Sequence, residues 1–112
     1  MANSKNLGEF EILVLAALIR LDDQAYGLSI LREIEAKTQR SVTIGALYST
    51  LSRLAEKKYV ETRMGEATAE RGGRAKRYYE LTAIGREKFE QSIFNLNNML
   101  EGLHPWKGKP AQ

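Results

Sequence analysis

Among its 112 residues the chain has no cysteine, a single histidine (His104) and two prolines. The first absence excludes disulfide frameworks, thiol catalysis and cysteine-rich zinc sites, and one imidazole cannot build a histidine metal cluster. No metal or cofactor is therefore expected. An enzyme would have to work with carboxylates, lysines or hydroxyls, and Ser4, Ser29, Ser41, Ser49, Ser52 and Ser92 have no visible base partner, so the chain reads as a non-enzyme. A long hydrophobic run is also lacking: the apolar stretch Ile12–Ile19 lies between Glu11 and Arg20, well short of the roughly 20 residues a membrane helix needs. The opening MANSKNLGEF has no apolar core of a secretory signal. A soluble, cytoplasmic protein with no membrane partner is expected. With 43% hydrophobic and 28% charged residues it has the mix of a folded chain, and its length suits one core.

What is present is mostly helix. Leu7 to Leu21, LGEFEILVLAALIRL, is apolar around nearly its whole circumference, which implies burial on more than one side and hints at a second subunit over one face. After the polar Asp22-Asp23-Gln24 turn, a second helix over Tyr26–Lys37 would bury Leu28, Ile30, Leu31 and Ile34. Thr43 suits the N-cap of a third helix reaching Lys57, with Ile44, Leu47, Leu51 and Leu54 as its core stripe. Its opposite face carries Gly45, Ala46, Ser49, Thr50 and Arg53, small or polar residues that allow a close approach by another molecule.

The period then changes. Tyr59–Arg63 and Lys76–Leu81 are rich in aromatic and β-branched residues, as strands are, and the linking segment contains Gly72-Gly73, where a hairpin can turn. Of the alternating Tyr78 and Tyr79, Tyr79 is expected in the core. Thr82 would cap a last helix over Ala83–Leu103, where Phe89, Ile93, Leu96, Leu100 and Leu103 follow one another at four, three, four and three residues, a short heptad seam. That seam either meets a second copy, together with Phe10 and Leu13 of the first helix, or folds back on its own domain. The expected fold is mainly α with a β-hairpin: a winged helix-turn-helix over residues 7–82, a C-terminal dimerisation helix over 83–103 and a disordered tail over 104–112.

A formal charge of +3 is too small to name a partner until it is divided along the chain. Residues 1–40 carry a net −1, residues 41–81 a net +3 and residues 82–112 a net +1. Arg71, Arg74, Lys76 and Arg77 crowd seven residues without an acid. Such a run is either a solvated surface or a phosphate-tracking wing. Beside a small-faced helix able to enter a major groove, it completes both halves of a DNA-reading surface. Thr43, Ser49, Thr50 and Arg53 are then candidate groove-facing residues, with plain exposure as the alternative, and Arg71, Arg74 and Lys76 are candidate wing contacts.

Gly45-Ala46-Leu47-Tyr48-Ser49-Thr50-Leu51-Ser52-Arg53-Leu54, followed about twenty residues on by Gly72-Gly73-Arg74-Ala75-Lys76-Arg77-Tyr78-Tyr79-Glu80-Leu81-Thr82 and Gly85, resembles the PadR family of bacterial transcriptional regulators. Leu7-Gly8 and Tyr26-Gly27 resemble it too, so the likeness spans residues 7–103, and the single last helix is similar to the short PadR subgroup. The resemblance implies a winged-helix homodimer on a pseudo-palindromic double-stranded DNA operator. Most such proteins are repressors of their own or a neighbouring operon, and several are released by small aromatic or drug-like ligands. Tyr48 matches the family's recognition-helix tyrosine, which implies a phosphate or base-edge contact; packing between the third helix and the hairpin is the alternative. Two positions depart from the pattern: Ile44 stands where proline often begins the helix, and Ala46 where threonine is frequent. A competing function is a winged-helix module that binds proteins or sequesters a ligand without touching DNA.

Overall fold

The computed structural model describes residues 6–65 and 75–103. The expectations attached to Arg71, Gly72, Gly73, Arg74 and the tail 104–112 lie outside the described residues. The order is α1 (Glu9–Leu21), a short 3-10 turn (Asp22–Gln24), α2 (Gly27–Thr38), α3 (Ile44–Glu56), β1 (Val60–Met64), β2 (Arg77–Leu81) and α4 (Ala83–Leu100). This is the winged helix-turn-helix arrangement with one helix following it.

Local chemistry sets the helix boundaries. Gly8 N–H donates to Glu11 Oε1 (2.8 Å) at the start of α1, and Tyr26 N–H donates to Ser29 Oγ (2.9 Å) at the start of α2. Thr43 and Thr82 act as the expected N-caps, accepting from the N–H groups of Ala46 (3.1 Å) and Gly85 (2.9 Å). The turn between α2 and α3 is fixed from within α2. Gln39 takes the left-handed conformation (φ 63°) and donates its N–H to Glu35 O (3.0 Å), while Glu35 Oε2 accepts from Val42 N–H (2.9 Å).

The core joins Val14, Leu15 and Leu18 of α1, Ile30 and Ile34 of α2, and Leu47, Leu51 and Leu54 of α3, closed by Ala25, Val60 and Tyr79. Tyr79 is thus inside, as its strand alternation suggested. The two strands pair antiparallel, from Val60 opposite Leu81 to Met64 opposite Arg77. Residues 25 and 26 extend this sheet: Tyr79 N–H donates to Ala25 O (2.9 Å), and Tyr26 and Tyr78 form an antiparallel bridge. The hairpin is thereby tied to the start of α2. Two-stranded hairpins are marginal alone, so this attachment matters for its stability.

Several helical side chains lie differently from the periodicity reading. Ile44, in the first turn of α3, is 47% exposed and Leu28, in the first turn of α2, is 43% exposed, each standing at a helix end ahead of the buried Leu47 and Ile30 that reach the core. The last helix stops at Leu100, so Leu103 lies beyond it and is exposed. α1 buries one side completely, while Phe10, Ile12 and Leu13 are only half-covered by the rest of this chain.

Thr82 joins α4 to the body. Its hydroxyl donates to Lys58 O (2.8 Å) and its N–H to Tyr59 O (3.0 Å). Gly85 sits on that same Tyr59 carbonyl, where an added Cβ would overlap backbone rather than a movable side chain. We expect Gly85→Ala to destabilise the fold by about 1–3 kcal/mol. Gly45→Ala, facing open space on α3, should leave stability unchanged or raise it by up to about 1 kcal/mol. Denaturant midpoints of the two variants check this; equal shifts would show that the Gly85 contact is not tight.

Candidate nucleic-acid interface

Burial of Leu47, Leu51 and Leu54 turns the opposite side of α3 outward, and Thr43, Gly45, Ala46, Tyr48, Ser49 and Ser52 are exposed there. Of the residues expected on this face, Thr50 is a correction. It is only 3% exposed, because on the helix circumference it flanks the Leu47, Leu51 and Leu54 stripe that faces the core. Its hydroxyl accepts from Arg53 Nη2 (3.3 Å). Thr50 therefore supports the surface from beneath.

Arg53 is exposed but committed. It donates to Ser49 Oγ (3.3 Å) and Thr50 Oγ1, and its Nε lies 3.9 Å from Glu11 Oε2. Glu11, only 8% exposed on the buried side of α1, also faces Lys57 Nζ at 3.4 Å. Periodicity missed this carboxylate. The available signal was an acid between Phe10 and Ile12 in a helix read as apolar around nearly its whole circumference, since a covered charge requires partners. The Glu11 cluster joins the start of α1 to the end of α3, setting how α3 is presented.

Tyr48 has two surroundings at once. Its side chain is 45% exposed, yet its hydroxyl rests against Gly27, where a Cβ would leave it no room. It thus bridges α3 to the start of α2 and still offers ring surface to solvent. Beneath it, burial pushes the Tyr79 phenol above its ordinary 10.0, with the Tyr48 hydroxyl acting in the same direction and Arg77 opposing both.

On the hairpin, Lys76 is exposed and its Nζ lies 4.3 Å from the centroid of the Tyr26 ring. Arg63, directly across from Tyr78, places its guanidinium 4.6 Å from that ring's centroid and bonds Glu80 Oε2 (2.9 Å) and Asp23 O (3.3 Å). Sequence reasoning did not single out Arg63, because its partners come from two segments distant from it in sequence, β2 and the turn before α2. The structure thus brings Thr43, Ala46, Tyr48, Ser49 and Arg53 onto α3, and Lys76 onto the wing base beside α2. Among the described residues no group of acids, histidines or cysteines could hold a metal ion, and no helix is long and apolar enough to cross a membrane.

The residues expected at a dimer contact divide by position. Phe10, Leu13, Phe89, Ile93 and Leu100 are half-buried, with the Arg40 guanidinium 5.7 Å from the Phe10 ring centroid, while Leu96 is exposed. Phe94 and Met99 are also exposed, at 64% and 77%.

The model of the transcriptional regulator PadR-like family matches residues 14–91. No curated protein matches the chain in sequence. Among solved structures, a transcriptional regulator from Clostridium thermocellum is 26% identical and superposes with a TM-score of 0.67, covering 80% of this chain and 81% of its own. RosR of H. salinarum is 30% identical (TM-score 0.59; 88% and 78% covered). A PadR family transcription regulator from Clostridium difficile, 24% identical, shares the fold (TM-score 0.60; 85% and 100% covered).

The Tyr79 environment makes a pH prediction. The folded chain holds the phenolic proton more tightly than the unfolded one, so this contribution is complete below pH 10.0 and is lost as pH rises towards the elevated folded value. Tyr79→Phe should flatten the loss of stability as pH rises above 10.0. Denaturant unfolding across that range measures it, and parallel curves for the two proteins would contradict the assignment.

Proposed function

The chain belongs to the PadR-like family of transcriptional regulators, which are regulators and not enzymes, and from that premise we propose that it is a dimeric, sequence-specific DNA-binding repressor of its own or a neighbouring operon. One observation carries this reading: α3 keeps an exposed face of small and polar side chains, Thr43, Gly45, Ala46, Tyr48 and Ser49, while the wing base holds Lys76 beside the start of α2. Small residues admit the edge of a base pair into contact with the helix, and the wing cation supplies a phosphate contact that orients the protein. Arg71 and Arg74 extend that basic segment in sequence. Repression requires a cytoplasmic protein with access to the chromosome, in keeping with a chain read as soluble.

Dimerisation has its own support. Ile84, Phe94, Leu96 and Met99 are exposed on α4, more apolar surface than a lone helix ordinarily leaves to water. A second copy against α4 and the half-covered side of α1, with Phe10, Leu13, Phe89, Ile93, Leu96, Leu100 and Leu103 in the contact, would remove it. The resulting two-fold axis places two recognition helices about 34 Å apart, hence a pseudo-palindromic operator with half-sites about one helical turn apart. A small hydrophobic or aromatic effector would release the DNA by entering between α1 and α4, where an open cleft of about 210 Å³ is lined by Asn6, Leu7, Ile12, Ser92, Asn95 and Leu96.

Fluorescence anisotropy on the DNA upstream of the gene tests the proposal. Competition-resistant binding that weakens steeply with salt is expected, and its absence at low salt overturns the reading. Tyr48→Ala should weaken binding by about tenfold without unfolding the protein, and Lys76→Ala should lower the salt slope by about one. Leu96→Asp should convert the dimer to monomer in sedimentation and abolish operator binding; an unchanged dimer would remove α4 from the interface.

A further inference from the structure

The far half of the hairpin has little beneath it. Val60 and Tyr79 are its buried residues, and beyond the Thr62–Tyr79 pair the side chains of Arg63, Met64, Lys76 and Arg77 are exposed. Yet this end is well paired, with Gly65 N–H donating to Lys76 O at 2.7 Å. What holds it against the helical body is a stack of four side chains on one face. The Lys76 ammonium lies over the Tyr26 ring, and that ring meets the Tyr78 ring edge-on at a centroid distance of 5.6 Å and an interplanar angle of 71°. The Arg63 guanidinium covers the Tyr78 ring. Edge-to-face rings and cations over ring faces are both electrostatically favoured arrangements. Arg63 is in turn held by Glu80 and by the Asp23 carbonyl of the turn before α2.

Three segments distant in sequence therefore meet here: the entry to α2, the end of β1 and the start of β2. Tyr26 precedes Gly27, the residue against which the Tyr48 hydroxyl rests, so the stack is one residue from the contact that bridges to α3. Gly65, which follows β1, lies against the Tyr78 ring of this stack.

We propose that Tyr26 and Tyr78 are positioning residues for DNA engagement, the Lys76–Tyr26–Tyr78–Arg63 stack setting the direction of the wing relative to α3 and holding the Lys76 ammonium where a phosphate meets it. This rests on the DNA-binding reading above. The aromatic rings act through the cations they hold. The ring and not the hydroxyl of Tyr26 is what the stack requires, since both of its contacts are to the ring system.

Tyr26→Phe and Tyr26→Leu in the full-length chain separate these contributions. The Phe variant should bind upstream DNA within about twofold of the unsubstituted chain, and the Leu variant about five- to tenfold more weakly with a shallower salt slope. Both should keep the helical circular dichroism and the oligomeric state. A spectroscopic readout reports the stack itself: with carbon-13 at lysine Cε, the Lys76 methylene protons should be shifted upfield by the Tyr26 ring in the unsubstituted chain and in Tyr26→Phe, and not in Tyr26→Leu. Equal DNA affinity for the Leu variant and the unsubstituted chain, or an equal loss for Phe and Leu, overturns the inference. Should Leu at position 26 unfold the protein, Arg63→Met at the exposed end of the stack decides: it should weaken binding and move the Lys76 resonance, and no change in either overturns the inference. Failure of the unsubstituted chain to bind DNA overturns the functional reading and this inference together, whereas equal binding by all variants overturns this inference alone.

Discussion

Burial of Leu47, Leu51 and Leu54 against α1 is the constraint on which the rest of the molecule depends. A fully buried leucine contributes about 1.5–3 kcal/mol, so the three together outweigh the exposed ion pairs around them, each worth at most about 1 kcal/mol. With those leucines inward, Thr43, Gly45, Ala46, Tyr48, Ser49 and Ser52 are left facing solvent on the opposite side of α3. Its exposed face is a consequence of its buried one. The Glu35 carboxylate on the Val42 N–H and the Thr43 cap then fix where that face begins.

Polar contacts refine this arrangement more than they stabilise it. Glu11 draws the Lys57 ammonium and the Arg53 guanidinium towards the start of α1. Losing its partners would leave a largely covered carboxylate uncompensated, which penalises alternative placements of α3 more strongly than the pairs reward the native one. The hairpin obeys a related logic. Its near half is held by Val60 and Tyr79 in the core and by the Ala25 carbonyl, and its far half by ring and cation contacts with Tyr26.

α4 stands apart in its energetics. Within it Gly85 alone is buried, at the Tyr59 carbonyl, and Phe89 and Ile93 are half-covered. Phe94, Leu96 and Met99 remain exposed, so a large part of the hydrophobic free energy available to this helix lies outside the single chain. The second copy proposed above, set on the heptad spacing of α4 and the uncovered side of α1, would realise it.

Much of the architecture was legible because local chemistry and periodicity agreed: threonine caps before α3 and α4, the Leu47–Leu51–Leu54 stripe, the change to strand composition after Tyr59, and a family pattern covering the same elements. Periodicity overreached at Ile44, Leu28 and Thr50, since a helical wheel gives direction but not how far neighbouring helices extend along or around it. Thr50 lies at the edge of the stripe, and only the closed core decides that it is covered. Glu11 with Arg53 and Lys57, and Tyr26 with Tyr78, Arg63 and Lys76, were invisible for a different reason: each set joins residues tens of positions apart that come together only when the core closes. The sequence alone thus determined the elements, the charge of the wing segment and the character of the outward face of α3, because these depend on local propensity and spacing. Tertiary structure decided which polar side chains remain free to meet a partner and which are spent holding the protein's own helices and hairpin in place, because that depends on distances no linear pattern encodes.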